Sequence, residues 1–343
     1  MARMKLLTWL SIWALCLISQ SHGAQAGAQC NGEDLNALLK FKAGIKKDPT
    51  GALKTWQGQD CCNAKWQGVT CDTRTGKVIV IDLKAPASNK NAFMTGTIAK
   101  SIGDLSALIV FRLSGWKNIT SKIPNSIAGL PQLRTLDLSD NDLIGKFPTW
   151  IPKLSKLKVL RLRGNQLKGL VLPEITTLSE LQILDLAGNR ITETLPTAMG
   201  DLKNLQQVYL NDNLFYGPLP DSMGSVKTLS ILNAANNMLV GGIPSSYGNL
   251  AALTLLSLYH NNLTYAIPAS LGGLSNLVEL RLERNMLTDS IPAEILGLKN
   301  LKRFDVSYNY LCGQIPQGKT LKVFPVSSYS NNRCLCGLPL SPC

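Results

Sequence analysis

The sequence predicts an α/β solenoid, a right-handed superhelix of stacked coils around a parallel sheet. Three observations predict it. The chain repeats every 24 residues without a gap from Leu133 to Asn300. One column of the repeat is all asparagine: Asn141, Asn165, Asn189, Asn213, Asn237, Asn261, Asn285 and Asn309. Cysteines cluster at the two ends of the array, at 30–71 and 312–343. Length alone would suggest two or three domains, but a repeat array forms one continuous stack whatever its length.

The blocks "LRTLDLSDNDLIGKFPTWIPKLSK" (Leu133 to Lys156), "LKVLRLRGNQLKGLVLPEITTLSE" and "LQILDLAGNRITETLPTAMGDLKN" align without insertion. Their pattern, L-x-x-L-x-L-x-x-N-x-L-x-G-x-I-P-x-x-h-x-x-L-x-x, is that of the plant-type leucine-rich repeat. Each column has a physical reason. The L-x-L segment is a short strand whose leucines face inward and whose alternate residues face out. Stacked coils bury a leucine core that one coil could not bury alone. The bend after each strand leaves backbone N–H and C=O groups inside, and an asparagine amide can satisfy both kinds. The I-P step, as at Ile123-Pro124, Phe147-Pro148, Leu195-Pro196, Ile243-Pro244 and Ile267-Pro268, holds an extended segment on the flank. The following PxxhxxL makes a helical turn on the convex side. "KVIVIDL" (77–83) supplies the first strand, and "LIVFRLSGWKNITSKIP" (108–124) carries one extra residue. About ten coils are expected from Val78 to Phe324.

The N-terminus reads as a secretory leader: Arg3 and Lys5, the apolar run "LLTWLSIWALCLIS", then the small-residue sites "AQA" and "AGA". Cleavage is expected after Ala28, with Ala26 as the alternative. The run is shorter than the ~20 residues a membrane span needs. Removing residues 1–28 takes Arg3, Lys5, His22 and Cys16, so the net charge of +13 falls by two to +11, and one histidine, His260, and eight cysteines remain. The chain is expected to be secreted, complete, and without a membrane span or kinase region. Eight cysteines in an oxidising compartment point to four disulfides rather than a zinc site.

An open stack exposes apolar ends, so caps are expected at 29–76 and 312–343, flanking the array at 77–311. Glu33 and Asp34 suit the first turn of a helix, and Leu35, Leu38, Leu39 and Ile45 form its expected buried stripe. Adjacent Cys61 and Cys62 do not pair comfortably with each other. On the assumption of nested, non-crossing pairing, the bridges are Cys30–Cys61, Cys62–Cys71, Cys312–Cys334 and Cys336–Cys343.

These caps carry a family resemblance. "CCNAKWQGVTCD", with Trp66 and Gly68, resembles the N-terminal cap of secreted plant leucine-rich repeat proteins. "CLCGLPLSPC" resembles the C-terminal cap of the polygalacturonase-inhibiting proteins and of the DNA-damage-repair/toleration-like proteins, and "GWKNIT" (115–120) is closer to the latter. The cysteine spacings match that group and support the pairing. The resemblance covers the whole mature chain. It implies a protein of the apoplast or cell wall that binds another protein on its concave face. In the inhibitors that target is a microbial pectin-degrading enzyme, which would make this chain a defence protein.

Outward strand positions are where such a partner would be met. One row reads Val159, Ile183, Gln207, Ile231 and Leu255, and its four aliphatic residues are not needed by the core. With Tyr209, Asn211, Asn233, Ser257, Tyr259, His260 and Arg281 they form the candidate partner-binding surface: a neutral, Tyr-anchored centre with a charged rim. Arg112, Asp137, Arg161 and Asp185 alternate in sign and read as a charge ladder. The two acids lie at a separation that glycosidases use, ~5–9.5 Å, but Arg161 between them is expected to keep both ionised. With one histidine, no nucleophile motif and no metal cluster, the expectation is no enzyme, no cofactor and no metal. The concave columns hold six Arg and seven acids, so the excess positive charge must lie on flanks, convex side and caps. There it favours acidic polysaccharide such as pectin; nucleic acid is not expected behind a leader. Sequons at Asn118 and Asn262 are expected glycosylation sites. The alternative functions are a signalling module binding a peptide or receptor-kinase ectodomain, and a structural wall or ice-binding protein, although no regular Thr array is evident.

Overall fold

The computed structural model describes residues 28–343 except Ala64 and Lys90; the leader and its cleavage motifs lie almost entirely outside the described residues. Ten parallel strands, from Val78–Lys84 to Arg303–Asp305, form the concave sheet, and the cap strand Val69–Cys71 adds antiparallel to the first of them. From Thr135 onward, successive strands pair in register at the 24-residue offset, as Val159 with Ile183 and Ile183 with Gln207. Short 3-10 turns such as Asp221–Ser225, Ser245–Asn249 and Ala269–Gly273 form the convex side. They stack closely enough that a Cβ on Gly248 would lie 2.4 Å from the Ser270 carbonyl oxygen. The flank segments do more than stay extended. They pair in parallel with one another, most extensively in two three-stranded sheets, Ile144–Lys146 with Gln166–Gly169 and Arg190–Ile191, and Tyr216–Pro218 with Met238–Gly241 and Asn262–Leu263.

The asparagines sit inside the stack and bridge neighbouring coils. Asn213 Nδ2 donates to Leu210 O of its own coil at 3.1 Å and to Leu186 O of the preceding coil at 2.8 Å, while its Oδ1 accepts from Ile191 N at 3.0 Å. The same arrangement recurs down the column. It also extends one coil further than the repeat suggests. Asn332, in the C-terminal cap, donates to Val306 O and Tyr329 O and accepts from Leu311 N. At the other end Trp116 closes the ladder: its backbone N donates to Asn141 Oδ1 and its indole to Leu83 O.

The disulfides are Cys30–Cys61, Cys62–Cys71, Cys312–Cys334 and Cys336–Cys343. The grouping of Cys30, Cys61 and Cys62 would suit a metal, but these sulfurs are all in disulfides. The cap helix, Gly32–Gly44, is capped by Asn31, whose Oδ1 accepts from Glu33 N and Asp34 N. Its buried face differs from the expected stripe. Leu39 is 40% exposed and Leu35 only partly buried; Ala37, Leu38 and Phe41 carry the face. Asp34 is buried too, because Oδ2 accepts from Val78 N at 2.7 Å and so ties the cap to the first strand. Phe41 then packs on Trp56, Trp56 stacks on Trp66 at 5.4 Å, and Phe41 meets Phe111 of the array edge-on. Phe304, Phe324 and Tyr329 close the other end.

The ladder sets the stability expectation. Asn213→Ala leaves Ile191 N buried without a partner, while Leu186 O and Leu210 O each lose one of two donors and keep Asn189 and Asn237, so the expected cost is about 2 kcal/mol. A lowered urea midpoint, with hydrogen exchange rising first in the adjacent coils, would be the signature.

Candidate functional site

The aliphatic row lies where its register places it. Val159, Ile183, Gln207, Ile231 and Leu255 pair side by side across five strands and are half-buried on the outer face of the sheet. The next row is Arg161, Asp185, Tyr209, Asn233, Ser257 and Arg281, also paired in register. Asn211 is half-buried just beyond it. Ser257 does not belong to a contact surface: it is 3% exposed, a short side chain between longer neighbours, and Ala235 is fully buried for the same reason.

Charges along the second row are only partly paired. Arg112 pairs with Asp82, and its Nε lies 3.3 Å from Asp137 Oδ2. Arg161 forms no ion pair among the described residues, so the expected sign-alternating ladder stops after its first step. The two acids are turned to their own backbone. Asp137 Oδ1 accepts from Ser139 N and Oγ, and Asp185 Oδ1 from Ala187 N. Burial pushes the Asp185 carboxyl above its ordinary range, against the pull of that N–H and of Arg163 and Arg161. Desolvation is thus the larger effect on this carboxyl, and Arg161 opposes it only in part. Tyr209, beside Asp185, is raised chiefly by burial and then by that carboxylate. These residues, with Arg163, Gln207 and Asn233, line an open depression of about 510 Å³.

Further along the face, Tyr259 is a held aromatic. The Arg281 guanidinium lies 4.0 Å above its ring, and its hydroxyl accepts from Asn236 Nδ2. Arg281 also meets Glu283, whose other oxygen, Oε2, is buried without a hydrogen-bond partner. Burial raises the Glu283 carboxyl as well.

The rim follows from a backbone rule that the sequence reading missed. The residue before each ladder asparagine has a left-handed conformation: Asp140, Gly164, Gly188, Asp212, Asn236, His260, Arg284 and Tyr308 have φ between 52° and 63°. The first five are types that tolerate it. His260 is also a type found there, but Arg284 and Tyr308 are not, and at ordinary residues the left-handed region costs about 1–2 kcal/mol. His260 Nδ1 lies 2.9 Å from Asn236 Oδ1, and Arg284 stacks on Tyr308 at 4.4 Å. The signal in the sequence was the change from Gly, Asn and Asp to bulky residues in this column.

On the flank lies a groove of about 730 Å³ bordered by Lys122, Lys146, Lys168 and Arg190, with Trp150 and Phe147 among its walls. Lys146, Lys168 and Arg190 are direct partners across three adjacent strands, and no acidic side chain lines the groove. Among the described residues no helix is long and apolar enough to cross a membrane.

Comparison with known proteins places this geometry. The leucine rich repeat N-terminal domain matches residues 31–72, and the Leucine Rich Repeat matches 132–154, 156–178, 180–202 and 252–274. The chain is similar to the DNA damage-repair/toleration protein DRT100 of Arabidopsis thaliana, 36% identical over 122 residues, which are 33% of this chain and 32% of that protein. It thus spans about a third of that relative's length. Among solved structures it resembles a plant ice-binding protein, with a TM-score of 0.80 and 30% identity over 92% of this chain and 99% of that one. It also resembles the ectodomain of the Arabidopsis receptor kinase HAESA in complex with an IDA peptide hormone ligand, with a TM-score of 0.76 and 30% identity over 88% of this chain and 49% of that one. The chain belongs to the leucine-rich repeat proteins of the plant type, with disulfide-bonded caps at both ends.

Proposed function

We propose that this protein is a secreted recognition module of the plant cell wall that binds a protein or peptide on its concave face, by surface contact rather than catalysis. One observation carries the reading: an unbroken row of half-exposed residues, four of the five aliphatic, that the core does not use, flanked by Tyr209 and the Arg281-held Tyr259. Such a strip loses water readily, and its aromatic anchors are already ordered, so little freedom is lost on binding. The HAESA likeness supports a peptide or protein ligand. The cap resemblance favours a microbial polygalacturonase as that ligand, with inhibition as the outcome. Ice binding, suggested by the other structural neighbour, is disfavoured by the outward flank column, which mixes Ile144, Lys168, Thr192, Tyr216, Val240, Thr264 and Thr288.

The cationic groove supports a second contact, with acidic polysaccharide. Its three in-register cations sit ~4.8 Å apart across the strands, a linear array suited to a carboxylated chain such as pectin. The protein would rest on the wall by its flank and leave its concave face free.

Titrating purified polygalacturonases with the protein tests the first contact. Tyr209→Ala/Tyr259→Ala is expected to weaken inhibition by about a hundredfold, the loss of two hot-spot anchors. Equal inhibition by both chains would remove the concave strip from the mechanism, and no inhibition by either would leave the peptide-ligand reading in its place. For the second contact, retention on polygalacturonate should disappear as salt shortens the screening length to a few ångströms, ~3 Å at 1 M. Lys146→Glu/Lys168→Glu should abolish it at low salt, and retention that survives high salt would count against the groove.

A further inference from the structure

We infer that Asn262 carries an N-linked glycan whose role is to cover an apolar patch on the flank sheet. The patch is built by the register of that sheet. Tyr216 pairs with Met238, and Pro218 pairs with Val240, which pairs in turn with Asn262. Alternate residues of a strand share a face, so these side chains point outward together with Thr264. Tyr216, Met238 and Val240 are 42%, 45% and 42% exposed, and Tyr265, 69% exposed, lies beside Gly242 of the same surface. Contiguous exposed apolar surface of this kind calls for a cover.

Asn262 is the polar exception in its own column, which reads Leu214, Met238, Asn262, Met286 and Tyr310 in this half of the array. Its amide makes no side-chain hydrogen bond among the described residues and is exposed, and it begins the sequon Asn262-Leu263-Thr264. The same column in the other half reads Asn118, Asp142, Gln166 and Arg190. The sequon there, at Asn118, has the Asp142 carboxylate accepting from its backbone N–H and no apolar neighbour in the column. A glycan on Asn118 would stand in water. One on Asn262 would lie with the C–H faces of its first sugars on Met238 and Val240 and its hydroxyls outward. This is a reason for the modification beyond the sequon itself.

In the transfer, Asn262 Nδ2 displaces a lipid diphosphate from the sugar C1 and loses one proton. The donor is the lipid-linked oligosaccharide of the secretory pathway, so the inference rests on the leader reading. It does not depend on what the concave face binds.

The test compares the full chain secreted from plant or insect cells with Asn262→Gln, Thr264→Ala and Asn118→Gln. Peptide mapping before and after enzymatic deglycosylation is expected to find Asn262 occupied. Both Asn262→Gln and Thr264→Ala should bind more of an apolar fluorescent dye and elute in size exclusion at larger, heterogeneous mass; Asn118→Gln should do neither. Deglycosylating the folded wild type repeats the comparison without any substitution. Adding Met238→Lys/Val240→Lys to Asn262→Gln should return both readouts to wild-type values. An unoccupied Asn262, or deglycosylated protein whose dye binding and elution match the glycosylated form, would overturn the inference. A discrete dimer formed through this face with the glycan in place would overturn it too, in favour of a second copy as the cover.

Discussion

The asparagine amide between coils is the contact on which the rest depends. Each coil must turn inside an apolar core, which strands backbone groups that cost about 1–3 kcal/mol each when unpaired. One side chain resolves this by donating to two carbonyls and accepting from one N–H, and one of those carbonyls belongs to the preceding coil. The ladder is therefore a fastening between coils as well as a patch within one. From Asn141 to Asn309 the ladder asparagines keep a 24-residue spacing, and the concave rows stay in register with it. The straight aliphatic strip and the three-cation row follow from that register.

This explains what could be read without a structure. Columns are set by the period, so Val159, Ile183, Gln207, Ile231 and Leu255 could be assigned to one row from the sequence alone. Depth within a row depends on neighbours of different length, and no period encodes it. Ser257 and Tyr259 looked equivalent as outward residues, yet Ser257 is buried and Tyr259 is a held aromatic. The flank pairing was hidden for a related reason: its partners are offset by 22 residues, as Lys146 with Lys168 and Val240 with Asn262, so an alignment at 24 does not bring them together. Asn332 escaped because the cap departs from the repeat while keeping its chemistry.

The same fastening separates stability from recognition. Ladder, leucines and convex turns consume the inward residues of each coil, and the outward ones are free to change. A partner can be gained or lost on the concave strip without touching the amides. The rim is different. Its left-handed conformation is fixed by the approach to the ladder, so a bulky residue there carries a backbone cost. Two successive coils bear it, at Arg284 and Tyr308, and the stacking of Arg284 on Tyr308 offsets part of it.

His260 shows how such a position behaves chemically. Asn236 Nδ2 donates to Asp212 Oδ1 at 2.7 Å, and that carboxylate is an acceptor in its ionised form. The amide is thereby oriented with Oδ1 toward His260. An oxygen there requires that the imidazole Nδ1 carry the hydrogen, so the neutral ring is the Nδ1–H tautomer with Nε2 outward as an acceptor. The ring is thus pinned at Nδ1 to the Asp212–Asn236 pair of the two preceding coils, so its orientation at the rim is set by the stack before any partner arrives.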